Sequence, residues 1–84
     1  MKLIYCSCCN DVFSLSFYIK KCHCGKSYGK YIDKLNAQIS ESAIPIGFNN
    51  REFNQALNNQ PDEGMGKRFD AFVIPKQCDT IEVI

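Results

Sequence analysis

The chain has 84 residues, of which 45% are hydrophobic and 23% charged, with a net charge of +1. That length holds one small domain with a modest core, a size that usually takes a staple, while the composition argues against general disorder. The near-zero total hides an asymmetry. Residues 1–35 carry Lys2, Lys20, Lys21, Lys26, Lys30 and Lys34 against Asp11 and Asp33, a balance of +4, and residues 36–84 balance to −3. A partner on the basic half is a mild implication.

Lys2 to Tyr5 reads as a short strand entering the turn Cys6-Ser7-Cys8-Cys9. Val12 to Ile19 alternates apolar and polar residues at the strand period of two and completes a first hairpin. A second turn follows at Cys22-His23-Cys24-Gly25, with Gly25 and Asn10 suited to the positive φ that such turns require. Ser27 to Asp33 returns as a strand weakened by Gly29, and residues 34–42 read as a loop or a single helical turn. Ala43 to Phe48 contains Pro45, which lacks a donor and permits only an edge strand or an extended segment. A helix over Arg51 to Asn59 is capped by Asn49 or Asn50, places Phe53, Ala56 and Leu57 on one face, and stops at Pro61. Gln60 to Lys67, with Pro61, Gly64 and Gly66 around Met65, has the composition of an exposed loop, and Phe69 to Ile74 and Thr80 to Ile84 are the last strands. The expected architecture is α+β, one domain over 1–84: an N-terminal zinc ribbon lobe (1–33), β-hairpins with two Cys knuckles, joined to a small β-rich lobe with one helix (34–84).

The two cysteine turns, twelve residues apart, carry the clearest chemistry. Paired thiolates on tight turns suit tetrahedral zinc, which predicts Cys6, Cys9, Cys22 and Cys24 as ligands of one Zn2+ per chain. The second pair is one residue tighter than the commoner spacing. Cys8 is a rival for Cys9, and His23 for either neighbour; Cys78 reads as a buried small residue beside the last strand. The opening residues are too short an apolar run for a signal peptide, and no stretch reaches membrane-spanning length. A cytoplasmic monomer without membrane contact is expected, and in that setting clustered cysteines favour metal over disulfides.

Cys6-x-x-Cys9 also has the spacing of thiol-redox motifs, but the strand pattern after it supplies no helix N-terminus to activate a thiol. One histidine and scattered acids leave no acid-base pair, so the chain is not expected to be an enzyme. Lys20, Lys21, Lys26 and Lys30, interleaved with Tyr28, have the composition of a nucleic-acid-binding surface, an alternative to lysines merely solvated. For a protein partner, Met65 in its glycine-flanked loop and Phe48 beside Pro45 are candidate contact anchors.

The runs Cys6-x-x-Cys9, Asp11-Val12-Phe13-Ser14-Leu15, Cys22-x-Cys24-Gly25-Lys26-Ser27, Ala43-Ile44-Pro45-Ile46-Gly47-Phe48 and Phe69-x-Ala71-Phe72-Val73-Ile74-Pro75 resemble a group of small uncharacterised zinc-ribbon-like proteins from bacteria and their phages. The likeness covers nearly the whole chain. It implies a zinc-bound cytoplasmic protein without enzymatic activity and leaves the partner open; beside it, the residues themselves are read as a binding module for a protein partner, an adaptor or inhibitor.

Overall fold

The computed structural model describes residues 2–84, and these form a small α+β domain of eight strands and one helix. The strands are β1 (Lys2–Cys6), β2 (Val12–Ser14), β3 (Lys20–Lys21), β4 (Tyr28–Tyr31), β5 (Ala37–Ile39), β6 (Ala43–Phe48), β7 (Ala71–Val73) and β8 (Ile81–Val83), with helix α1 (Asn50–Asn58) between β6 and β7. They make two four-stranded sheets: sheet A in the order β2-β1-β6-β7, and sheet B in the order β3-β4-β5-β8. Sheet A is antiparallel throughout, whereas β5 and β8 pair in parallel. Both sheets combine strands from either side of residue 34.

Side chains alternate across each strand, and one face of each sheet is apolar enough to bury. From sheet A and its flanks come Ile4, Ala43 and Ile74; from sheet B come Ala37, Ile39 and Ile81; Leu15, in the crossover between the sheets, joins them in one core. Phe13, Tyr31 and Cys78 pack on its margin. Gly29 is needed where β4 meets β5, because a Cβ there would lie 2.8 Å from the Gln38 carbonyl oxygen.

Three local expectations are corrected. The second strand ends at Ser14, not Ile19, because the chain leaves sheet A there: Leu15 turns into the core and the Ser16 carbonyl accepts the Tyr31 amide at 2.7 Å. Residues 37–39 form a strand rather than a loop or helical turn, since they are paired on both sides, by β4 and by β8 more than forty residues later, which local propensity does not register. Pro45 lies in an inner strand, between β1 and β7. Its carbonyl accepts the Ile74 amide at 2.9 Å, so its donorless nitrogen faces the same side, where β7 has already ended at Val73, and no ladder bond within the sheet is lost.

The helix keeps its expected place, one residue earlier at each end. Asn49 is the N-cap, its side chain accepting the Glu52 amide at 3.2 Å. Phe53 packs with Phe48 and Phe69, ring centroids 4.9 to 5.3 Å apart, which fastens α1 to the end of β6. No helix among the described residues is long and apolar enough to cross a membrane.

Candidate metal centre

Each cysteine pair lies on a hairpin turn, and the two turns belong to different sheets. The first joins β1 to β2 in sheet A. There the Cys6 amide donates to the Asp11 carbonyl at 2.9 Å and the Asn10 amide to the Cys6 carbonyl at 2.8 Å, while Asn10 takes φ 62°. A short amide side chain tolerates that left-handed conformation, and the Asn10 Oδ1 also accepts the Tyr5 hydroxyl at 2.6 Å.

The second turn joins β3 to β4 in sheet B and repeats the pattern. The Cys22 amide donates to the Ser27 carbonyl at 2.8 Å and the Gly25 amide to the Cys22 carbonyl at 3.0 Å, with Gly25 at φ 81°. Two further bonds hold the turns to their surroundings. The His23 amide donates to Asp11 Oδ2 at 2.9 Å, linking one turn to the other. Ser42, just before β6, donates to the Lys26 carbonyl at 2.9 Å and lies 3.0 Å from the buried Ser27 hydroxyl.

This scaffold brings the sulfurs of Cys6, Cys9, Cys22 and Cys24 within 4.8 Å of one another. Cys6 and Cys24 are 3.8 Å apart and Cys22 and Cys24 3.5 Å. Four sulfurs around one zinc, each bonded at about 2.3 Å, stand about 3.8 Å apart at tetrahedral edges, so the donor set fits that ion in number, type and spacing. All six cysteines are free thiols. Of the rivals, Cys8 is exposed and His23 is engaged through its backbone, and neither joins the cluster. Cys78 stands apart, half-buried, with its sulfur 3.3 Å from the Thr80 hydroxyl.

The electrostatics of the cluster suit a cation. Hydrogen bonding from Ser27 holds the Cys6 thiol low, at about 6, against the opposing effect of burial. Cys24 is pulled down by the Lys26 backbone amide, but burial and its contacts with Cys22, Cys9 and Cys6 together push it up to about 12. Neighbouring thiolates repel, and one group ionises at the expense of another. A divalent ion would remove that conflict, and the Ser27 amide, which donates to Cys22 Sγ at 3.3 Å, would solvate a bound thiolate there. Cys6 is fully buried at the end of a strand, with no helix N-terminus beside it.

The other candidate residues fall on separate surfaces. Lys21, Tyr28 and Lys30 alternate onto the outer face of sheet B, Lys26 is exposed in the second turn, and Lys20 points to the opposite face. Met65 is 86% exposed, whereas Phe48 is half-buried among the aromatic rings beside α1. Ser27, Asp11 and Ser42 had no separate signal in the cysteine spacing; only Ser27, five residues after Cys22, occupies the position from which a turn amide reaches the first sulfur. Compared with protein-family models, curated proteins and solved structures, the chain matches none.

Proposed function

We propose that the chain is a zinc-stabilised binding module that acts through protein–protein contact, as an adaptor or inhibitor of the phage type. One Zn2+ held by Cys6, Cys9, Cys22 and Cys24 is a closed, structural site: four protein ligands leave no position for water or substrate. Function then belongs to a surface.

The observation that carries the protein-binding reading is the outer face of sheet A. In the strand register, Tyr5 stands between Val12 and Ile44, and Ile46 between Leu3 and Val73, all on the face turned away from the core. Val12 is 49%, Ile44 37% and Val73 68% exposed. A contiguous apolar patch on a small protein marks an interaction site more often than an incidental exposure. The test is affinity capture from the native host with the zinc-loaded chain and with Ile44→Arg/Val73→Arg. A protein retained by the first and lost by the second, with metal content equal, supports the reading; identical capture by both removes it.

A second reading rests on Lys21, Tyr28 and Lys30 sharing one face of sheet B, with ammonium groups beside an aromatic ring as single-stranded nucleic acid requires. Fluorescence anisotropy with a labelled oligonucleotide tests it: affinity falls steeply with salt and with Lys21→Ala/Lys30→Ala, and a salt-insensitive or absent signal rejects it.

A further inference from the structure

The four sulfurs of the cluster are unequally sheltered. Cys6 and Cys22 are buried, at 0% and 5% exposure, Cys9 is half-buried, and Cys24 is exposed. Nothing closes over the turn around Cys24: His23, Gly25 and Lys26 are all exposed, and a Cβ built on Gly25 would meet no atom within 4 Å. Buried structural cysteines are inert, and susceptibility to oxidation follows thiolate character and exposure. One ligand of the four therefore meets solvent.

The same geometry decides where an oxidised Cys24 goes next. Its sulfur lies 3.8 Å from Cys6 Sγ and 3.5 Å from Cys22 Sγ. A bridge to Cys22, two positions away, would close a small ring inside a turn already fixed by the Gly25-to-Cys22 and Cys22-to-Ser27 backbone bonds, and disulfide geometry resists that strain. Cys6 belongs to the other turn and the other sheet, so a bridge to it ties sheet A to sheet B. Cys8, also exposed, lies outside the cluster.

We propose, on the basis of the four-thiolate metal reading above, that the centre is a peroxide-sensitive latch in which Cys24 is oxidised first and a Cys6–Cys24 disulfide replaces the ion as the tie between the two turns. The Cys24 thiolate attacks one oxygen of hydrogen peroxide; the O–O bond breaks, hydroxide leaves and takes a proton to become water, and the sulfur is left as a sulfenic acid. The Cys6 thiolate then attacks that sulfur; an S–S bond forms, the S–O bond breaks, and the departing hydroxide takes a proton as the second water. Two electrons have passed from the two sulfurs to the peroxide. Cys9 and Cys22 alone are too few ligands for a four-coordinate ion, which leaves as the divalent cation. Chelation removes the ion and leaves no tie, whereas oxidation removes it and leaves a covalent one.

The test titrates the zinc-loaded full chain with hydrogen peroxide. Native mass spectrometry reads the zinc that stays, a chromophoric chelator reads the zinc released, and alkylation of the remaining thiols with peptide mapping locates the bridge. Zinc is lost mole for mole with peroxide consumed, the first disulfide maps to Cys6 and Cys24, and the zinc-free product keeps a cooperative thermal transition that the chelated, reduced chain loses. A dithiol reductant with added zinc restores the loaded form. Cys8→Ser, which removes the other exposed thiol and leaves the ligand set intact, gives the same zinc loss. Zinc retained while Cys8 is oxidised overturns the proposal. So does a zinc loss that Cys8→Ser abolishes, a first disulfide between other cysteines, or an oxidised chain that melts like the chelated one. A chain that holds no zinc before peroxide is added overturns the metal reading itself and the latch with it, so the two failures are told apart.

Discussion

At one end of β6, Cys6, Cys22 and Ser27 are buried and two turns are cross-tied by backbone and side-chain hydrogen bonds; at the other, residues 57–73 are all exposed and Ala56 is the one buried residue of α1. The first end orders many residues around four sulfurs that repel one another when ionised. The second orders a helix through three touching rings, an asparagine cap and two hydrogen bonds between its start and Asp70. A chain of this size buries only a modest share of its surface, so a metal at one end would add substantially to its stability. Burial and cross-linking hydrogen bonds are concentrated around the four-sulfur cluster, and open surface is left at the helix end.

The largest effect expected is from removing the metal. Cys22→Ser, or a strong chelator on the wild type, releases the ion, and because the two cysteine turns belong to different sheets both sheets lose cooperative structure together. Structural zinc carries apparent binding free energies of about 10–16 kcal/mol in small zinc-dependent folds, comparable to the whole stability of a domain. Circular dichroism and native mass spectrometry read this directly; a chelated chain that melts as sharply as the loaded one would show the metal end to be packed, not stapled.

Acid sharpens the same point. Zinc binds thiolates, so protons compete with it. Cys24, pushed up to about 12, surrenders its proton on metal binding at neutral pH, whereas Cys6, held at about 6, is already mostly ionised there. Affinity therefore falls as pH falls, and falls more steeply below 6, where Cys6 must also be deprotonated by the metal. Competition with a chromophoric chelator across pH 5 to 8 measures the slope; an affinity independent of pH would contradict thiolate ligation.

One methyl group compares the two ends by packing. In Gly29→Ala the new Cβ meets the backbone carbonyl of Gln38 at 2.8 Å, which only a shift of β4 against β5 can relieve, at a cost of about 2 kcal/mol. In Gly47→Ala, near α1, the obstacle is the far edge of the Phe72 ring at 2.7 Å, a half-exposed side chain free to swing, and the cost stays below about 1 kcal/mol. Urea denaturation of the zinc-loaded variants separates them; equal losses would mean that the helix end is as tightly packed as sheet B.

The smallest effect is at the cap. Asn49→Ala removes the acceptor of the Glu52 amide and costs about 1 kcal/mol. Its signature is local: hydrogen exchange quickens in the first turn of α1 while zinc content is unchanged. Faster exchange throughout the sheets would tie the helix into the metal-dependent unit.

Periodicity and capping made α1, both hairpin turns and the final strands legible in the amino-acid order, because each depends on residues a few positions apart. Gly25 and Asn10 could be assigned to positive φ for the same reason, and the thiolate donor type with its paired spacing was enough to group Cys6, Cys9, Cys22 and Cys24. What lay beyond local reading depended on distant partners. β5 is an inner strand because β8 lies beside it opposite β4; Pro45 sits inside a sheet because its missing donor falls past the end of β7; and Ser42 reaches the second turn only once the sheets pack. The preference of Cys9 over Cys8 is likewise a matter of where a turn aims its sulfurs in space. The outer face of sheet A has the same origin: Tyr5, Val12, Ile44 and Val73 are unremarkable apolar residues in their own segments, and hydrogen-bonded register alone makes them neighbours.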